Sequence, residues 1–129
     1  MTSHRISALL AAAAFVAAPA SSAVARGGGD KNVVQRTGRC SDGSTWKLKV
    51  KPDDGRLQTE FEVDQNRAGA TWHVTLRRDG AVAARATRTT RAPSGSFSFE
   101  RRIAGAAGTK VSATATRGSA TCRGAVTAA

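Results

Sequence analysis

The sequence predicts an all-β fold: an antiparallel β-sandwich of about seven strands, immunoglobulin-like or fibronectin-like, closed by one disulfide, with a small β-barrel as the alternative. Three observations predict it. Apolar and polar residues alternate with period 2 through most of residues 32–126, as half-buried strands require when successive side chains point to opposite faces. Clusters of Gly, Asp, Asn and Pro interrupt these runs at hairpin spacing, and no helical periodicity appears after residue 25. Two cysteines, Cys40 and Cys122, stand near opposite ends of the patterned region.

The chain begins differently. Met1 to Arg5 is positive, Ile6 to Ala18 is almost continuously apolar, and Ala23-Val24-Ala25 has the small-residue form of a cleavage site. These are the three parts of a secretory signal peptide, residues 1–25, and the apolar run is short for a membrane-spanning helix. A retained membrane anchor is the alternative. The Gly-rich residues 26–31 form a flexible leader, 32–126 a single domain and 127–129 a loose tail. One Arg-Gly-Gly-Gly is too little for an RNA-binding array.

Export changes the reading of the cysteines. In an oxidising compartment an even count implies a disulfide, and two cysteines allow one pairing. The closed loop of 83 residues corresponds to about 4.5 kcal/mol in the chain-entropy model.

Within the domain, residues 32–40 suit an edge strand carrying Val33 and Val34. In Ser44–Val50, Trp46, Leu48 and Val50 alternate with Lys47 and Lys49. In Arg56–Asp64, Leu57, Phe61 and Val63 oppose Gln58, Glu60 and Glu62, and in Thr71–Arg77, Trp72, Val74 and Leu76 oppose His73 and Thr75. These three runs read as a meander. A four-residue turn at Pro52–Gly55 sets Val50 opposite Leu57, Leu48 opposite Thr59, Trp46 opposite Phe61 and Lys47 opposite Glu60. A loop at residues 65–70 then pairs Val63 with Trp72, Phe61 with Val74, Thr59 with Leu76 and Glu62 with His73.

Asp79-Gly80 signals a further hairpin, yet its simple register sets Val74 against Arg85. Either a β-bulge corrects the phase or residues 82–90 pass to a second sheet, and the second sheet is the expectation. After the break at Ala92–Gly95, residues 96–103 form a strand with Phe97, Phe99 and Ile103 inward. Arg101 interrupts that face and snorkels at the sheet end. Residues 110–117 place Val111, Ala113 and Ala115 inward, and a short last segment carries Cys122.

The chain has 20 basic and 9 acidic residues, a formal charge of +11; loss of Arg5 with the signal peptide leaves +10. That balance favours anionic partners without naming one. Seven arginines gather in the latter half: Arg77 and Arg78, Arg85, Arg88 and Arg91, and Arg101 and Arg102. If the sheet order brings them together, they suit the sulfate, phosphate or carboxylate groups of an extracellular polyanion. A solvated basic surface is the simpler alternative. The aromatic residues share inward phases, which argues for core packing and against a stacking platform for sugars or bases.

Other chemistry is thin. His73 is the one histidine after the signal peptide and lacks a partnered nucleophile, so no catalytic residue and no enzyme are expected. Glu60, Glu62 and Asp64 share a strand face, but alternate strand residues lie too far apart to chelate one ion, and the lysine row beside them supplies neutralisation. A single histidine and two disulfide cysteines do not make a zinc site. No metal and no cofactor are expected.

Taken together, the signal peptide, the GRCSDGSTWKLKVKPDDG and EFEVDQNRAGATWHV segments, the SGSF segment at 94–97 and the late cysteine resemble small secreted proteins of actinobacteria of uncharacterised function. The resemblance implies an exported β domain with a disulfide and carries over no catalytic residue. The expectation is a secreted or envelope-associated, non-enzymatic interaction module without a transmembrane anchor. Its partner is an anionic envelope polymer or another extracellular protein; nucleic acid fits an exported protein poorly. A structural or accessory role without a discrete ligand is the first alternative, a small hydrolase or inhibitor the second, and a monomer is favoured.

Overall fold

Eight strands form two four-stranded antiparallel sheets that pack against each other around one apolar core. The computed structural model describes residues 32–129; the signal peptide and leader expected at 1–31 lie outside the described residues. The strands are β1 (Val34–Arg39), β2 (Thr45–Asp53), β3 (Arg56–Asp64), β4 (Thr71–Arg78), β5 (Ala81–Thr89), β6 (Ser96–Ala104), β7 (Lys110–Arg117) and β8 (Ala120–Thr127). One sheet has the order β1-β2-β3-β6 and the other β5-β4-β7-β8. No helix among the described residues is long and apolar enough to cross a membrane.

The core follows the period-2 positions. Leu48, Val50, Leu57, Phe61 and Val63 of the first sheet are fully buried, and Phe97 and Phe99 are nearly so. Trp72, Val74, Leu76 and Val111 close on them from the second sheet, while Trp46 is only partly buried at the margin. Trp72 and Phe97 meet across the sheets with ring centroids 6.5 Å apart. Such faces repay the ordering of the chain because each buried aliphatic or aromatic side chain contributes about 1.5 to 3 kcal/mol.

Several pairings differ from the sequence-based expectation. The β2-β3 turn has two residues, Asp54 and Gly55, both at positive φ, so β2 runs on through Pro52 to Asp53. An Asp-Gly pair suits the two-residue turn whose twist matches the strands. Pro52 lies beyond the end of β1, whose Val34 pairs with Val50, so its missing N–H breaks no ladder on that side. The register is therefore two residues from the expected one: Val50 faces Thr59, Leu48 faces Phe61, Trp46 faces Val63 and Lys47 faces Glu62. A shift of two keeps every side chain on its face. The Lys47 ion pair accordingly goes to Glu62, at 3.6 Å, and not to Glu60.

The meander also ends earlier than expected. β3 pairs with β2 and β6, and β4 pairs with β5 and β7, so residues 65–70 carry the chain from one sheet to the other. The expected Val63–Trp72, Phe61–Val74, Thr59–Leu76 and Glu62–His73 pairs do not form. Hydrogen bonds from Gln65 N to Gly95 O and from Gly69 N to Thr90 O hold the crossing segment, while Trp72 Nε1 donates to Gln65 Oε1 at 3.2 Å. At Asp79-Gly80 the hairpin does form, and a bulge between Leu76 and Arg77 restores the phase, placing Leu76 opposite Ala84 and Val74 opposite Ala86. β5 thus stays beside β4, in place of the expected departure to another sheet.

The two seams of the sandwich are closed differently. On one side Cys40, just after β1, is bonded to Cys122 of β8, and the Trp46 indole lies over Gly38 of β1 and Gly124 of β8. Ser41 N also donates to Thr121 O. At the chain end Ala128 is buried, its N–H donating to Thr109 O. On the other side the edge strands β5 and β6 face each other without such a staple, and arginines concentrate there.

Candidate functional site: a basic seam

Small residues on one strand and long ones on the other create this seam. β5 presents Ala84 and Ala86 inward, with Arg88 at the next inward position opposite Trp72. β6 presents Phe97, Phe99 and Ile103 inward, with Arg101 at the position opposite Thr59. Beside the short alanines two exposed arginines, Arg88 and Arg101, reach over the ring of Phe99. The guanidinium carbon of Arg88 lies 5.0 Å from the Phe99 ring centroid and that of Arg101 lies 5.5 Å from it. Two cations thus cover one buried ring, an arrangement favoured by the ring quadrupole and by the apolar stems of arginine.

A groove opens on each side of this cluster. The first, of about 370 Å³, is bounded by Arg56, Arg78, Arg101 and Arg102 over an apolar floor that includes Val82 and Ile103. The second, of about 600 Å³, is bounded by Arg88 and Arg91 together with Thr87, Thr89, Ser94 and Ser96. No acidic side chain lines either groove. Arg102 is held at one wall by Asp53, with Nη2 3.3 Å from the carboxylate and 3.4 Å from the Asp53 carbonyl oxygen. Arg78 donates to Ala104 O at 3.4 Å.

Of the seven arginines singled out from the sequence, Arg78, Arg88, Arg91, Arg101 and Arg102 share this seam. Arg77 and Arg85 do not: Arg85 pairs with Thr75 and Arg77 with Ser112 on the outward face of the β5-β4-β7-β8 sheet. Arg56 belongs to the first groove and escaped sequence reasoning. Its place follows from its register with Ala104 of β6, which no local pattern reveals.

His73 also lies on the outward face, with Thr87 and Thr116 as cross-strand partners and Nδ1 3.4 Å from Thr87 Oγ1. Glu62, its expected partner, is on the other sheet. Glu60, Glu62 and Asp64 are outward on β3 beside the lysines of β2, and no cluster of three potential metal ligands occurs among the described residues.

The seam can grip oxyanions. Guanidinium groups donate in a planar fork that fits carboxylate, sulfate and phosphate, and the flanking hydroxyls of the second groove add donors. No protein-family model matches the chain, and neither a curated protein nor a solved structure is significantly similar to it.

Proposed function

We propose that this protein is a secreted, non-enzymatic binding module that holds an anionic polysaccharide along the seam between β5 and β6. One observation carries the reading: six arginines line two grooves in series along the seam and no carboxylate is among the lining residues, with Asp53 paired to Arg102 at the wall of the first. A linear polymer with regularly spaced negative groups matches grooves in series better than a small ligand does. Export rests on the three-part pattern of residues 1–25. The strand order supports a fibronectin-like sandwich: β2-β3-β6 and β5-β4-β7-β8 correspond to A-B-E and C′-C-F-G, with β1 added outside β2.

Magnitudes set the assay. An exposed ion pair contributes about 0.2 to 1 kcal/mol, so six give about 1 to 6 kcal/mol, an affinity no tighter than about 40 µM. Such binding weakens with salt because the Debye length falls to about 8 Å at physiological ionic strength. The test is binding of the full chain to heparin, polygalacturonate, neutral dextran and a DNA oligonucleotide at low and physiological salt. Salt-sensitive binding of the acidic polysaccharides is expected, reduced about threefold to a hundredfold by Arg56→Gln, Arg78→Gln and Arg91→Gln together. Equal binding by that variant would overturn the seam, and preferential binding of the oligonucleotide would reassign the polymer to nucleic acid.

A further inference from the structure

The outward face of the β5-β4-β7-β8 sheet carries a second basic surface that the seam does not use. Its composition follows from register. Thr75 of β4 pairs with Arg85 of β5 on one side and with Thr114 of β7 on the other, and Thr114 pairs with Arg123 of β8. One row across the sheet therefore reads Arg85, Thr75, Thr114, Arg123. The adjacent row reads Thr87, His73, Thr116, Thr121. Neighbouring strands lie about 4.8 Å apart, so the two arginines stand roughly 14 Å apart at the backbone with hydroxyls between them.

The charge on this face has one sign. The four strands contain no Asp or Glu, and Asp79 in the β4-β5 turn accepts the Lys110 N–H. The outward face of the other sheet is different, because Glu60, Glu62, Asp64 and Glu100 stand there among the lysines. An anion approaching that face meets carboxylates, whereas an anion approaching β5-β4-β7-β8 meets guanidinium, imidazole and hydroxyl groups. A depression of about 380 Å³ marks the place where His73, Thr75, Arg85 and Thr87 converge. Apart from the His73 imidazole the outward positions in these rows hold no aromatic ring, so the surface offers hydrogen bonds and charge without a stacking platform for a neutral sugar.

We infer that this face is a second binding site for an anionic polysaccharide, with the His73-Thr75-Arg85-Thr87 depression holding one oxyanion and Arg123 another across the sheet. The choice of polymer rests on the seam reading; the site itself rests on the register and on the absence of acidic residues from the four strands. Heparin and polygalacturonate share the oxyanion chemistry, and their order of affinity identifies sulfate or carboxylate as the group held.

The experiment measures full-chain binding to both polymers at low salt, with neutral dextran as reference. The seam is first weakened by Arg56→Gln, Arg78→Gln and Arg91→Gln. In that background Arg85→Gln with Arg123→Gln is expected to lower the remaining affinity about tenfold. Thr75→Val with Thr114→Val, which keeps side-chain shape and strand preference, is expected to lower it about threefold. Remaining affinity unchanged by both pairs, or no binding left once the seam is weakened, overturns the inference. If the seam substitutions have no effect and the Arg85 and Arg123 pair abolishes binding, the seam reading fails while this site stands. Unfolding temperatures equal to that of the unsubstituted protein separate lost binding from lost structure.

Discussion

The indole of Trp46 on β2 lies directly over Gly124 on β8, so that a Cβ added at Gly124 would fall 2.6 Å from Cη2 of the ring. Gly124 belongs to the opposite sheet, and its burial beside Cys122 places the contact next to the disulfide. The ring also covers Gly38, its register partner on β1, where an added Cβ would fall 2.5 Å from Cζ2. Two glycines from two strands thus make room for one aromatic ring at the closed seam.

Gly124→Ala is therefore expected to destabilise the protein by about 1 to 3 kcal/mol, the usual range for overpacking. Its backbone carries no positive φ, so the effect is steric. Urea unfolding measures it, and the decisive comparison is the same substitution in a Trp46→Leu background. With the ring gone the added methyl should cost less than about 0.5 kcal/mol; equal costs in both backgrounds would show that the indole is not the obstacle.

Replacing Cys40 and Cys122 together by serine should lower stability by about 2 to 5 kcal/mol, because the bond closes a loop with a sequence separation of 82 residues. Trp46 and the Ser41 to Thr121 hydrogen bond still join the sheets at that seam. A folded but less stable domain is the expected product, read as a lower urea midpoint with retained strand circular dichroism. An unchanged midpoint would remove the disulfide from the account of stability.

Thr90 fastens the segment that crosses between the sheets. It is 2% exposed, its hydroxyl donates to Arg67 O at 2.6 Å, and it accepts the Ala70 N–H at 2.9 Å. Thr90→Val keeps the shape and leaves the buried Ala70 N–H unpaired, which costs about 1 to 3 kcal/mol. Thr90→Ser keeps the hydroxyl and should be the milder change in thermal unfolding. The reverse order would mean that the methyl contacts, and not the hydrogen bonds, hold the crossing.

Period-2 alternation made the inward positions legible, because parity survives a two-residue error in turn length. That is why Leu48 and Phe61 are inward although the turn at Asp54-Gly55 is shorter than expected. Parity does not encode which strand lies beside which. The pattern of β4 is equally compatible with pairing to β3 or with facing it across the core, and only the shape of residues 65–70 separates the two. Gly124 did carry a signal, since an isolated Gly within an alternating run marks a close approach. Thr90 carried none, because a buried threonine and an exposed one are written alike. The arginines were visible as a set, but the register of Arg85 and Arg88 against β4 depended on the bulge at Leu76 and Arg77.

Arg101 and Phe99 should be energetically coupled. Phe99 is 1% exposed, and the guanidinium lies 5.5 Å from its ring centroid. A double-mutant cycle with Arg101→Gln and Phe99→Leu is expected to give about 0.5 to 1 kcal/mol, the range for a cation over an aromatic face at an accessible site. A coupling near zero would make the guanidinium a neighbour of the ring without a stabilising role.

Asp53 provides the carboxylate that binds Arg102, a guanidinium bounding the first groove. The two side chains are 40% and 52% exposed, so the pair contributes less than about 1 kcal/mol to stability. Its larger effect is on the proposed ligand, because the carboxylate competes with an incoming anion for the same guanidinium. Asp53→Asn should therefore strengthen binding of acidic polysaccharides about twofold to fivefold at low salt, with little change in unfolding temperature. Titration of the polymer into the variant and the unsubstituted protein measures the ratio. A gain at low salt that shrinks at physiological salt follows from the charge removed, whereas weaker binding by the variant would mean that Asp53 orients Arg102 for the ligand and does not compete with it.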